Sequence, residues 1–91
     1  MIQFAWDPVK AAANLTKHRV AFTEAATVFD DNLALTLDDP DHSTDELRFV
    51  TFGLSNRGKL LIVAHTLPPP TLRLISARWA SAKERRIYEE G

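Results

Sequence analysis

Leu72-Arg73-Leu74-Ile75-Ser76-Ala77-Arg78-Trp79-Ala80 runs directly into Ser81-Ala82-Lys83-Glu84-Arg85-Arg86-Ile87-Tyr88. Apolar residues alternate with polar ones through the first part, the period of a strand with one face buried. Ser81 followed three residues later by Glu84 is the capping box that opens a helix. A strand carrying two arginines thus feeds a basic helix, and the charge of the chain divides accordingly. Residues 57–91 hold seven Lys/Arg against three Glu, a net of +4, while residues 1–56 hold four against nine Asp/Glu, a net of −5. The overall −1 conceals a cationic half. Two readings fit the charge alone. One is a surface for a phosphate-bearing partner; the other is a solvated amphipathic helix with no specific ligand.

Working back from that strand, residues 59–66 are nearly all apolar and predict a central strand covered on both faces. Ser55-Asn56-Arg57-Gly58 predicts the hairpin loop before it, with Gly58 free to take positive φ. Residues 46–54 predict its partner strand, with Leu47, Phe49 and Thr51 on one face and Glu46, Arg48, Val50 and Phe52 on the other. Pro68-Pro69-Pro70 cannot join a ladder and must connect. Residues 33–37 read as another strand and residues 2–6 as a short first one, with Phe4 and Trp6 in the core. Asp7-Pro8 starts a helix over 8–18: Asp7 caps and Pro8 fits the first helical position. Val9, Ala12, Ala13 and Leu15 are its expected buried side, and Lys17 and His18 complement the dipole of its last turn. Thr23 is expected to cap a second helix over 23–29. The order β-α-α-β-β-β-β-α defines a small α+β domain of residues 1–91, with a mostly antiparallel sheet of four to five strands flanked by helices.

Composition narrows the function classes. The absence of cysteine excludes disulfides and thiolate chemistry and fits a reducing cytoplasm. No stretch has the form of a secretory signal or is long enough to span a bilayer, so no membrane is expected. His18, His42 and His65 lie far apart in sequence. Asp38-Asp39-Pro40-Asp41-His42 lacks the glycine turn and bidentate Glu of a calcium loop, and proline with aspartate is ordinary turn chemistry. No metal or other cofactor is expected. No glycine-rich loop offers itself to a nucleotide phosphate, and neither Ser55 nor Ser76 sits on a nucleophile elbow.

Arg48, His65, Arg73 and Arg78 are the candidates for chemistry. In RNA cleavage without a metal, the ribose 2′-hydroxyl is the nucleophile. The protein then supplies a proton shuttle, cations for charge developing on phosphorus, and a positioning surface. Arginine grips phosphate oxygens two at a time, and histidine moves protons near neutral pH. Arg48 and His65, on neighbouring strands, can point the same way. In a regular strand Arg73 and Arg78 lie on opposite faces, and a bend or the strand end near Ala77 can bring them together. The plainer roles are a hydrogen-bonded strand histidine for His65 and a salt bridge to Glu46 for Arg48. Trp79 and Tyr88 either stack on bases or dock the last helix.

In addition, Phe4-Ala5-Trp6-Asp7, Lys10, Asn14, Lys17-His18 and Val20-x-Phe22-x-Glu24-Ala25 resemble the N-terminal pattern of the BrnT toxins. Glu46-x-Arg48, Gly53, Gly58-Lys59-Leu60-Leu61-x-Val63, Arg73-x-Ile75-Ser76-Ala77-Arg78-x-Ala80 and Glu84-Arg85-x-x-Tyr88-Glu89 continue the resemblance in order over nearly the whole chain. It implies the toxin half of a bacterial type II toxin–antitoxin pair, with a fold similar to RelE-type ribonucleases. It implies a metal-independent endoribonuclease that arrests translation. The implied partner is a DNA-binding BrnA antitoxin, in a complex of two toxins with two antitoxins that represses its own operon and reaches operator DNA only through the antitoxin. On this reading Arg48, His65, Arg73 and Arg78 are catalytic, and Lys17, His18, Lys59 and Lys83 bind RNA. Two other functions fit: a catalytically inactive corepressor, or a metal-dependent hydrolase using the acidic loop. The chain departs from the pattern at Arg19, where glycine is usual after Lys-His, at Trp79, where a second arginine is common, and at the proline run.

Overall fold

The computed structural model describes residues 2–39, 47–66 and 71–91. Residues 40–46 and 67–70, which hold most of the acidic loop, Glu46 and the three prolines, lie outside the described residues. The elements are β1 (Gln3–Ala5), α1 (Pro8–His18), α2 (Phe22–Ala25) continued by a 3-10 turn (Ala26–Asp30), β2 (Leu35–Asp38), β3 (Arg48–Leu54), β4 (Leu60–Thr66), β5 (Thr71–Trp79) and α3 (Ala82–Glu90). The five strands form one sheet in the order β1-β5-β4-β3-β2. Strands β2 to β5 pair antiparallel, whereas β1 lies parallel to β5, so the sheet is mixed.

The all-apolar β4 is the middle strand, and Leu60, Leu61, Ile62 and Val63 are all buried. On one face Leu61, Val63, Leu74 and Ala77 pack with Val20, Phe22, Ala25 and Val28 from the segment joining α1 to β2. Phe4, Trp6 and Phe29 complete that core, as expected for the first two. The 3-10 turn comes so close to β3 that a Cβ at Gly53 would sit 3.1 Å from both Cβ and O of Val28. Gly58 closes the β3–β4 hairpin at φ 75°, and its N–H donates to the Ser55 carbonyl at 2.9 Å.

Several helix ends obey local rules. The Asp7 carboxylate accepts from Val9 N at 2.8 Å. Ser81 and Glu84 form the reciprocal capping box of α3. At the end of α1, Arg19 adopts φ 60° and ψ 30°, the left-handed conformation that glycine supplies freely. Arg19 bears that strain, roughly 1–2 kcal/mol for a residue with a Cβ. The second helix departs from expectation: Ala21, not Thr23, is its cap, and α2 tightens to 3-10 after one turn.

The burial of α1 also differs from its hydropathy. Val9 is 76% exposed and Leu15 50% exposed, and Ala12 and Ala13 face solvent. The buried residue is Asn14, with Ala11 and His18 partly covered on the same side. The cause lies in β5. Its outer edge is paired with β1 only over residues 71–73, so the backbone at Ala77, paired with Val63 on its other side, has no strand on that edge. Asn14 Nδ2 donates to the Ala77 carbonyl at 2.9 Å, and Asn14 Oδ1 accepts from Ala77 N at 3.0 Å. Nδ2 also donates to the Val20 carbonyl at 2.9 Å. One amide thereby replaces a missing strand, and this polar match, not apolar area, sets which side of α1 turns inward.

Candidate active site

The β4–β5 ladder slips between Ala64 and His65: Ala64 pairs with Ser76, His65 with Leu74, and Ile75 is the extra residue. This bulge reverses the alternation midway along β5 and brings Arg73 and Arg78 to the same face of the sheet. That face lies opposite the helical core. Its rows are Val50–Ala64–Ser76 and Phe52–Ile62–Arg78, with Arg48 opposite Thr66 at the far end. Helix α3 packs against β3, at the end of the face where Phe52, Leu60 and Ile62 are buried. What stays open is a cleft of about 440 Å³ lined by Asp39, Arg48, Val50, Ile62, Ala64, Ile75, Ser76 and Arg78. Arginines stand at both ends of a short apolar floor.

Ile75 and Ser76 also line a second depression of about 210 Å³, whose other walls are Lys10, Ala13, Asn14, Lys17 and His18 of α1. The bulge is therefore the shared rim of the arginine cleft and a basic groove. Arg73 is exposed beyond the cleft, its backbone N–H directed at Thr66 Oγ1 at 3.4 Å.

Arg78 is tightly held. Its Nη1 and Nη2 donate to the two carboxylate oxygens of Glu84 at 2.7 Å each, and Nη1 also donates to the Trp79 carbonyl at 3.2 Å. The Glu84 hydrogen bond is the main cause that raises the Arg78 pKa, and the same bond is the main cause that brings Glu84 down to about 2. Tyr88 anchors the other end of α3: its hydroxyl donates to Asp31 at 2.6 Å, which pushes the phenol up to about 12.

His65 is not with the arginines. It pairs with Phe49, so both face the helical side, whereas Arg48 pairs with Thr66 on the opposite side. The expectation that Arg48 and His65 point the same way is corrected by this register, because one residue of offset reverses the face. His65 is 1% exposed, with Phe29 edge-on at 5.0 Å and Phe49 stacked at 6.2 Å. Its Nδ1 lies 3.2 Å from the Thr66 carbonyl, which can only accept, so Nδ1 carries the proton. Nε2 then accepts from the Thr51 hydroxyl at 2.7 Å, and Thr51 in turn accepts from Thr36 at 2.7 Å. Burial lowers the His65 pKa and favours the neutral ring.

Burial of the neutral His65 ring makes the stability of the fold depend on pH. The folded state takes up the His65 proton less readily than the unfolded chain. Stability is therefore full above the ordinary imidazole value of 6.5 and is lost as pH falls below it. Melting at pH 7.5, 6.5, 5.5 and 5 is expected to show a decline approaching about 1.4 kcal/mol per pH unit at most. The window lies above the ordinary values of 3.8 for Asp31 and 4.5 for Glu84, whose own lowered pKa values act at more acid pH. His65→Gln should flatten the slope; an equal slope in that variant would assign it to another group.

The remaining basic candidates are dispersed. Lys59 sits over the Trp79 ring at 5.1 Å and within 4.0 Å of Glu24, away from the cleft. Lys83 is exposed on the first turn of α3 and lines neither depression. Ser76, Asp39 and Lys10 line the two depressions without being candidates for chemistry by residue type, and the β5 bulge at their shared rim leaves no mark in the sequence.

Over residues 6–84 the chain matches the family described as the ribonuclease toxin, BrnT, of type II toxin-antitoxin systems. The chain belongs to that family, and membership implies an antitoxin partner. It is also similar in fold to the Brucella abortus ribonuclease toxin BrnT, known from a crystal structure. That likeness has a TM-score of 0.66 at 21% identity and covers 89% of this chain and 99% of that one. No curated protein matches the chain. Among the described residues, no helix is long and apolar enough to cross a membrane.

Proposed function

We propose that this chain is a metal-independent endoribonuclease that cleaves RNA and arrests translation, and that a BrnA-like antitoxin neutralises it. The observation that carries this is the pair of depressions that share the β5 bulge as a rim, with Arg48 and Arg78 in the cleft and Lys10, Lys17 and His18 in the adjoining groove. The 2′-oxygen attacks the neighbouring phosphorus as its proton leaves. The bond to the 5′-oxygen breaks and that oxygen takes a proton from water, giving a 2′,3′-cyclic phosphate and a 5′-hydroxyl. Arg48 and Arg78 stabilise the charge on the phosphoryl oxygens. The groove on α1 holds the flanking backbone, and Arg73 and Lys83 contribute longer-range attraction. Asp39 is the carboxylate that lines the cleft and is the group proposed to take the 2′-hydroxyl proton. His65 has no part in these steps, because its ring is enclosed on the other face.

In the same proposal the toxin and its DNA-binding antitoxin form a cytoplasmic complex, two copies of each, that represses the operon. Family membership supports this reading. The test is cleavage of a labelled RNA by purified toxin. Cutting is expected to persist in EDTA and to stop with excess antitoxin. Cutting abolished by EDTA and restored by a divalent ion would establish a metal-dependent hydrolase instead. A folded toxin that cuts nothing yet supports operon repression would be a corepressor without catalysis.

A further inference from the structure

Arg78 carries five N–H donors in a rigid plane. Three of them are in use. The end-on pair, one hydrogen each from Nη1 and Nη2, goes to the Glu84 carboxylate. The second Nη1 hydrogen goes to the Trp79 carbonyl. Among the described residues nothing accepts from the other two, Nε–H and the second Nη2–H, which lie side by side along the remaining long edge of the guanidinium. That edge is itself a two-pronged fork with the spacing of two phosphate oxygens.

Glu84 fits this role because it is itself fixed. Its Oε1 accepts from the backbone N–H of Ser81 at 2.9 Å, which sets the carboxylate, while the Ser81 hydroxyl separately accepts from Glu84 N at 3.2 Å and caps α3. A carboxylate on the end-on edge leaves the guanidinium able to turn only with α3, while Arg78 still lines the cleft.

We infer that Glu84 is a positioning residue: it clamps the end-on edge of Arg78 so that the Nε–H/Nη2–H edge is presented to one phosphate of the RNA. This inference rests on the ribonuclease reading above. It makes the Arg78–Glu84 pair part of the working site, retained while RNA is bound, and not a stopper that RNA must displace.

The experiment uses Glu84→Gln, which keeps an amide oxygen for Ser81 N and therefore the helix cap, but removes the charge and one acceptor. Rates on a labelled single-stranded RNA of mixed sequence are expected to show kcat lowered about tenfold, as expected for a mispositioned group. KM should stay within about twofold and melting within a few degrees of wild type. In an Arg78→Ala background, Glu84→Gln should add nothing, because its effect passes through Arg78. Ser81→Ala, which weakens the cap and spares the pair, should lower melting and leave kcat unchanged. Unchanged kcat in Glu84→Gln, or tighter RNA binding, would overturn the inference, the latter by showing that Glu84 competes with phosphate. A loss of kcat in Ser81→Ala equal to that in Glu84→Gln would overturn it in favour of helix docking. An inactive Arg78→Ala beside a fully active Glu84→Gln would sink the positioning role alone. Full cleavage by Arg78→Ala would sink the ribonuclease assignment of Arg78, and with it this inference.

Discussion

Arg78→Ala is expected to lower RNA cleavage by about 10²–10³-fold and to abolish growth arrest, while the protein stays folded and still binds its antitoxin. The magnitude is that of removing one preorganised donor from the place where charge develops in the transition state. Arg78 qualifies because its orientation is fixed before RNA arrives, by two 2.7 Å bonds to Glu84. Little reorganisation then remains for the reaction itself. The fold should tolerate the change. Arg78 lies on the open face, its cross-strand neighbour Ile62 belongs to the apolar floor, and Glu84 keeps its bond to Ser81 N. The Glu84 pKa, held at about 2 mainly by Arg78, should return toward its ordinary 4.5, which a carboxylate titration followed by NMR would read independently of activity. Arg78→Lys should recover little, because an ammonium lacks the paired edges that meet a carboxylate and a phosphate together. Single-turnover cleavage with matched amounts of folded protein is the measurement. Cleavage within threefold of wild type would remove Arg78 from the reaction and leave Arg48 and the α1 groove to carry it.

Regular periodicity made most of the fold legible. The apolar run at Leu60-Leu61-Ile62-Val63 gives the central strand, Ser81 with Glu84 gives the cap of α3, and Asp7-Pro8 gives the start of α1. The site was less legible because it depends on a break in periodicity. A bulge made of Ile75 and Ser76 carries no glycine to mark it, yet it decides that Arg73 and Arg78 share a face. His65 shows the converse. Residue type suggested a proton shuttle, but cross-strand register with Phe49 places it in the core, in a hydrogen-bonded chain with Thr51 and Thr36. Register is a long-range property, and local pattern leaves it open by one residue, which is enough to reverse a face. The parallel placement of β1 beside β5 is likewise set by the path of α1 and not by anything within residues 2–6.

The largest stability effect is expected at Asn14, a residue that hydropathy places among the least important on α1. Asn14→Ala removes three hydrogen bonds, two from Nδ2 to the Val20 and Ala77 carbonyls and one from Ala77 N to Oδ1. Each buried backbone group left without a partner costs about 1–3 kcal/mol. With partial relaxation, roughly 3–5 kcal/mol is expected, a large share of the about 5–15 kcal/mol typical of a folded domain. Melting should fall by about 15–25 °C. Leu15→Ala on the neighbouring position should cost about 0.5 kcal/mol, since Leu15 is 50% exposed, which inverts the order that side-chain hydrophobicity alone would give. Asn14→Asp discriminates further: a carboxylate can accept from Ala77 N but cannot donate to either carbonyl, and it buries a charge, so it should be no better than alanine. Asn14→Ala within 1 kcal/mol of wild type in urea melts would show that water or a strand rearrangement replaces the amide. The site has a stake in the same bonds. Ala77 lies between the bulge and Arg78, so the amide that completes the β5 edge also fixes the backbone from which the cleft's arginine extends. At a temperature where Asn14→Ala remains folded, its RNA cleavage should therefore fall while that of Leu15→Ala does not.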